Sequence, residues 1–285
     1  MAAQFVSFSI DPYSKNDLTA APELELRRGD LVLRDRGYLT FDEIQRHIDA
    51  DADCIYRHKH NTIYLHPQTK KTIDLVAILK RNGRLDCQVL LNNDQQTPVR
   101  LVAASVNEET ANLRRMKAKR DAHGHSPSKE NLAIMSWTIF ITTIPAEKCS
   151  FDEILSLYGL RWRIENIFKT WKSNMNFVAI HNVSEYQLRT ILIARLSMIV
   201  TIFHQIFAPL RYHIRIGFGK YLSLIKLLRY LQVNHERIDS LLGLCSSPSS
   251  DASLLSAIAR YCVYDVRKKR FNYAQVEEKL FALNS

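Results

Sequence analysis

A chain of 285 residues, 46% of them apolar, can bury the core of one large domain or two modest ones, which excludes an intrinsically disordered protein. Lys and Arg number 39 against 29 Asp and Glu, and a formal charge of +10 favours a polyanion, nucleic acid first, over a neutral ligand; a merely basic soluble enzyme is the plainer reading. The five cysteines (Cys54, Cys87, Cys149, Cys245, Cys262) form no Cys-x-x-Cys pair, which argues against a zinc knuckle or a disulfide framework and fits a reducing cytosol.

In chain order, residues 4–11 (QFVSFSID) alternate and are rich in Phe, Val and Ile, which predicts a strand. The start MAAQFVSFSID (1–11) lacks a basic stretch followed by an apolar one, so no secretory signal is expected. Residues 31–33 predict a short strand, followed by Asp35, a turn at Gly37 and a helix opened by Thr40 with Glu43 three residues on. Residues 53–61 (DCIYRHKHN) predict another strand, and strand, helix, strand in that order predicts an α/β sheet with parallel members.

From 61 to 104 the short apolar runs TIYLH, TIDLVAIL, CQVLLNN and VRLVAASV predict a β-rich insertion without helical period. It leads into residues 108–131, where five of the seven residues 114–120 are basic and His123, Gly124 and His125 begin a loop. That run reads either as a phosphate contact or as a solvated helix face. Residues 137–145 (WTIFITTIP) predict a buried strand, and Ser150 with Glu153 predicts a capping box opening a helix to about 174. Further helices are expected over 184–207 and 220–232, then a linker at 246–251 and a last helical segment with the basic run 267–270. The apolar run 191–210 is interrupted by Arg195, His204 and Gln205, so a core helix is expected and not a membrane span.

Turned at about 100° per residue, the helix expected from Ser150 places Tyr158, Arg161, Glu165 and Lys172 on one polar stripe. Leu157, Leu160, Ile164, Ile167 and Trp171 fall on a separate apolar sector. A carboxylate flanked by cations is suited to a metal ion or to charge-assisted hydrogen bonds; ordinary i, i+4 pairing is the plainer account.

Tyr158, two residues, Arg161, three residues, Glu165, six residues and Lys172 reproduce the spacing Y-(2)-R-(3)-E-(6)-K, set in LYGLRWRIENIFKTWKS. This resembles the signature of DDE-type bacterial insertion-sequence transposases, insertion sequence family four, and GDLVLRDRGYLT (29–40) resembles the strand end where those enzymes carry a second catalytic Asp. The likeness covers roughly residues 5 to 205. It implies a ribonuclease H-like sheet with a β-rich insertion and a helical C-terminal region. It further implies metal-dependent DNA cleavage and strand transfer at transposon ends, with Asp35 and Glu165 as catalytic, metal-holding carboxylates for a two-ion Mg2+ site. Tyr158, Arg161 and Lys172 would hold DNA phosphates, and the partner would be double-stranded DNA, with a homodimer in the full-length family, in the bacterial cytoplasm and without a membrane.

The same resemblance exposes a gap. Only 23 residues separate Asp11 from Asp35, too few for the strands and helix that should part the family's first and second Asp. The chain is therefore expected to be the C-terminal portion of such a transposase: a partial core (1–60), the insertion with its basic loop (61–130), the core strand and signature helix (131–210) and a helical end (211–285). Cleavage by this portion alone is not expected, and a non-catalytic DNA-binding remnant or inhibitor is the alternative. Among lesser candidates, Arg57 is expected to face phosphate as readily as solvent, His58 and His60 read as surface residues, His123 and His125 as loop residues, and Trp171 as core.

Overall fold

The computed structural model describes residues 25–122, 126–174, 183–246 and 251–265. The expected strand 4–11, His123 and His125, residues 247–250 of the expected linker and the basic run 267–270 lie outside them. The described residues fall into two compact units, the first ending at Arg161 and the second beginning at Trp162.

The first unit is built on a mixed six-stranded sheet. Strands β1 (Leu31–Arg34) and β2 (Asp53–Arg57) run parallel, with helix α1 (Phe41–Asp49) between them, as strand, helix, strand predicts. Thr40 caps α1 by accepting the Glu43 N–H at 3.2 Å. Glu43 turns its carboxylate to Arg34 at the end of β1 (3.1 Å) and to Arg46, so the expected cap is tied to the strand as well. The remaining strands are β3 (Tyr64–Leu65), β4 (Arg84–Leu91), β5 (Pro98–Ser105) and β6 (Trp137–Thr142), in the spatial order β1-β2-β6-β5-β4-β3. Every pairing beyond β1–β2 is antiparallel.

One run in the β-rich stretch is a helix. TIDLVAIL, expected as β-like, forms α2 (Leu75–Asn82): Asp74 accepts the Ala77 N–H at 2.9 Å, and Gly83 closes the helix at φ +67°, where a side chain would be strained. Leu75 and Leu79, one turn apart, are its buried residues. An apolar run this short has no decisive period, and the caps choose.

Because side chains alternate along a strand, the sheet has two unlike faces. Cys54, Tyr56, Ile139, Ile141, Val99, Leu101, Val89 and Leu91 join Ile44 of α1 and Leu79 of α2 in one apolar core. The opposite face carries Arg57, Phe140, Thr142, Arg100 and Asp86. Two short helices, α3 (Glu108–Asp121) and α4 (Lys129–Ile134), connect β5 to β6.

After β6, helix α5 (Phe151–Gly159) opens on the expected capping box of Ser150 and Glu153. It does not run to 174. The N–H groups of Leu160 and Arg161 turn to the carbonyls of Leu157 and Tyr158, three residues back, and α6 (Trp162–Asn174) starts afresh. Gly159 sits where the helix gives way, as the poorest helix former after proline.

The described residues of the second unit are largely helical. Helix α7 (Glu185–Thr201) opens on a Ser184–Gln187 capping box and passes through a π-helical segment (Ile202–Phe207) into α8 (Ala208–Phe218), which Gly219 ends at φ +62°. Helices α9 (Leu224–Val233), α10 (Ile238–Ser246) and α11 (Ala252–Tyr261) follow. The helix expected over 184–207 thus extends to Phe218, and α10 was not expected. The run 185–218 has the length and apolar content of a membrane span, and it also places Phe203, Ile206, Phe207, Leu210 and Ile214 in the unit's core.

The sheet's second face holds a buried cation. Arg100, 1% exposed, donates from Nε and Nη2 to both carboxylate oxygens of Asp86 (2.7 and 2.8 Å) and from Nη1 to the Cys149 carbonyl (2.6 Å). Asp86→Ala should lower stability by about 3 kcal/mol, since it strands that charge, whereas Asp86→Leu with Arg100→Met should cost clearly less. Chemical denaturation of the two variants checks the order.

Candidate functional site

Asp35 follows the last residue of β1 and caps the short 3-10 turn Arg36–Tyr38, its Oδ1 accepting the Arg36 N–H at 2.8 Å. Parallel pairing with β2 sets Arg34 beside Tyr56, so Asp35 and Arg57 leave the sheet at the same end. Arg57 lies opposite Phe140 on β6, and the Phe140 ring meets the Tyr158 ring with centroids 4.4 Å apart.

Tyr158, in the last turn of α5, is buried with its hydroxyl turned to the same carboxylate. It donates to Asp35 Oδ1 at 3.4 Å, across 123 residues of chain. Burial first, and then the Asp35 charge, push its phenol up to about 12, so the group remains a donor at neutral pH. Arg161 lies over the Tyr158 ring at 5.4 Å and brings Nη1 within 3.9 Å of Asp35 Oδ2. Both contacts are longer than the roughly 2.8 Å of a tight charge-assisted bond. The Asp35 carboxylate, 39% exposed, keeps room for a further ligand.

The structure thus brings together three of the residues singled out from the sequence: Asp35, Tyr158 and Arg161. The other two stand on α6 in the second unit, Glu165 half-buried in its first turn and Lys172 exposed in its last. Trp171 of α6 is buried, as expected of a core residue, whereas Trp162 is 51% exposed.

Beside Asp35 opens a cleft lined by Arg36, Arg57, His58, His60, Arg114 and Trp137 among others, and none of the described residues lining it is acidic. Arg114 donates to the Trp137 carbonyl and the Thr138 hydroxyl, each at 3.0 Å. Burial, and after it the charge of Arg57, lower its pKa, so two guanidinium groups repel one another within one cleft. An anion relieves that repulsion. Arg57 was legible as a candidate; Arg36 and Trp137 were not, although Arg36 adjoins Asp35 in the DRGY stretch.

Within the same cleft, His58 is neutral. Its Nδ1 shares a hydrogen bond with the Tyr64 hydroxyl at 2.6 Å, and burial, helped by His60 and Arg57, lowers its pKa to about 4. His58 therefore adds no charge to the cleft at neutral pH.

A model of the transposase DDE domain family matches residues 1–200. The chain belongs to the DDE transposase family. Among curated relatives it is 28% identical over 221 residues to the transposase for insertion sequence element IS231D of Bacillus thuringiensis subsp. finitimus, covering 70% of this chain and 46% of that protein. It is 28% identical over 195 residues to the IS231E transposase of the same subspecies, covering 60% and 41%, and 22% identical over 200 residues to the IS1151 transposase of Clostridium perfringens, covering 61% and 41%. The chain spans less than half the length of these relatives.

The DDE transposase family implies a divalent metal, typically Mg2+. The donor type fits: Asp35 offers the hard carboxylate oxygens that such an ion takes. The number falls short, for among the described residues no three His, Cys, Asp or Glu side chains gather as a metal site would.

The neutral His58 gives a pH test. With its folded value near 4 and an unfolded value of 6.5, its contribution is present above pH 6.5 and is lost as pH falls toward 4. The stability of His58→Gln should therefore change less with pH across that window than that of the parent, as measured by denaturation at pH 7.0, 5.5 and 4.5.

Proposed function

We propose that this chain is the portion of an insertion-sequence transposase that carries two metal-holding carboxylates, Asp35 and Glu165, and the groups that grip a transposon end. Its sheet would then be the ribonuclease H-like core of such an enzyme, with the stretch 61–104 as the insertion. The observation that carries the reading is the meeting of Asp35 with Tyr158 and Arg161 at the end of β1, beside a cleft lined by cations.

In that role the protein groups divide by chemistry. The Tyr158 hydroxyl and the Arg161 guanidinium donate to non-bridging phosphate oxygens, Arg161 as a fork. Lys172 adds a point charge from α6, and Arg57, Arg36 and Arg114 draw the backbone into the cleft. Divalent cations, when bound, supply Lewis-acid stabilisation of an in-line phosphoryl displacement. The substrate class is double-stranded DNA, at transposon ends and target, in the bacterial cytoplasm, and a homodimer is the assembly proposed for the full-length enzyme.

A second reading has its own support. With no cluster of three potential metal ligands among the described residues, the chain would act as a non-catalytic DNA binder that occupies ends or inhibits a full-length relative.

Binding and nicking of labelled duplex DNA separate the readings. The parent should bind with an affinity that falls steeply with salt, and Arg161→Gln and Tyr158→Phe should weaken binding, the first by roughly tenfold or more, given the ~1.5–3 kcal/mol of a hydrogen bond to a charged group. Asp35→Asn should bind as well or better, because it removes a negative charge from the phosphate path. Mg2+-dependent nicking by the parent, lost in Asp35→Asn and Glu165→Gln, supports the first reading and overturns the expectation that this portion cannot cleave alone; binding without nicking, with Asp35→Asn and Glu165→Gln binding as the parent does in Mg2+, supports the second. Indifference to DNA at low salt overturns both.

A further inference from the structure

Helix α3 is held in an unusual way. Of its 14 residues only Ala111 is buried, so no apolar face fastens it to the sheet. Two arginines do so instead. Arg114 reaches the carbonyl of Trp137 and the hydroxyl of Thr138, and Arg115 reaches the Leu132 carbonyl and the Ser136 hydroxyl while pairing with Glu108.

The basic run 114–120 is therefore two populations. Arg114 and Arg115 are consumed by the fold, whereas Lys117, Lys119 and Arg120 are exposed. The carboxylate found beside them is that of Asp121, 3.6 Å from Arg120 and itself half exposed. Leu113 and Met116, 61% and 67% exposed, stand on the same helix, an arrangement that water alone does not favour.

We propose that Lys117, Lys119 and Arg120 form a second DNA-backbone contact, outside the Asp35 site. Two features argue for DNA as the occupant. Charge is complementary, with three cations and one carboxylate on the last turns of the helix. The patch is also continuous with the acid-free cleft, because Arg114 lines that cleft and Lys117 and Arg120 follow it at steps of about 4.5 Å along the axis. Leu113 and Met116 then have deoxyribose edges to cover. The inference rests on the transposase reading and adds to it a surface that the Y-R-E-K signature does not contain.

The test compares salt dependence of duplex binding by fluorescence anisotropy between 50 and 300 mM KCl. One variant carries Lys117→Gln, Lys119→Gln and Arg120→Gln. A control of equal charge carries Lys70→Gln, Lys71→Gln and Lys80→Gln, exposed residues of the stretch 61–104. At ~0.9 per phosphate contact, the α3 variant should have a log–log slope shallower than the parent by about 2 to 3, and the control should follow the parent. A further variant with Lys117→Arg and Lys119→Arg should keep the parent slope. Thermal midpoints should agree among all four proteins, because none of the substituted side chains bonds to the sheet.

If the α3 variant keeps the parent slope, or if variant and control fall equally, the second contact is overturned while the transposase reading stands. If the parent shows no salt-dependent binding, both are overturned.

Discussion

A single guanidinium fixes where the helix bearing Tyr158 begins. Arg100 leaves the second face of β5, pairs diagonally with Asp86 on β4, and gives its remaining fork to the carbonyls of Cys149 and Ile144 in the connection from β6 to α5. Cys149 immediately precedes Ser150, the N-cap. From there the helix runs from Phe151 to Gly159, and the Tyr158 ring lands on Phe140, a residue of the same sheet face. A buried ion pair contributes little net stability relative to apolar groups of the same shape, so what this one contributes is position. Without it the start of α5 would float, and the 3.4 Å contact between Tyr158 and Asp35 depends on that start.

The two faces of the sheet then divide the work. One is a closed apolar layer in which Leu79, Ile44, Tyr56 and Leu101 are fully or almost fully buried. The other tolerates Arg57, Arg100 and Thr142 because each has polar company or an opening to solvent. Asp35 stands at the end of β1 where these layers meet water, next to a cleft whose charges are arginines. A carboxylate at the rim and cations in the floor suit a polyanion that must be bound along its backbone yet met by an acid at one point.

Much of this was legible in the sequence. Strands β1, β2, β4, β5 and β6 are runs of four to eight residues whose alternation or apolar content speaks plainly, and Thr40 and Ser150 mark helix starts through the residue three places on. What was not legible has physical causes. Residues 75–82 contain Val and Ile in a short apolar run, and only the Asp74 and Gly83 caps, each decisive in three dimensions, reveal a helix. The role of Arg114 could not be separated from that of Lys117, since a basic run does not say which members bond to carbonyls 21 and 23 residues away. The Arg100 clamp was equally silent, because an Arg in the run VRLVAASV gives no hint that it faces Asp86.

The signature spacing itself has a different origin from the one that helical periodicity offers. Arg161 lies in a turn whose N–H bonds to the Tyr158 carbonyl three residues back, at 3.1 Å, and not four. In that tighter winding, side chains i and i+3 eclipse one another, whereas an α-helix would set them about 60° apart. The eclipse lays the Arg161 guanidinium over the Tyr158 ring and sends both groups to the same carboxylate from adjacent directions, hydroxyl to Oδ1 and guanidinium to Oδ2. Two residues between Tyr158 and Arg161 are therefore the number that such a turn demands. One more or one fewer would rotate the guanidinium off the ring and away from Asp35. Gly159, lying inside this interval, is where the α-helix most readily yields to the tighter turn.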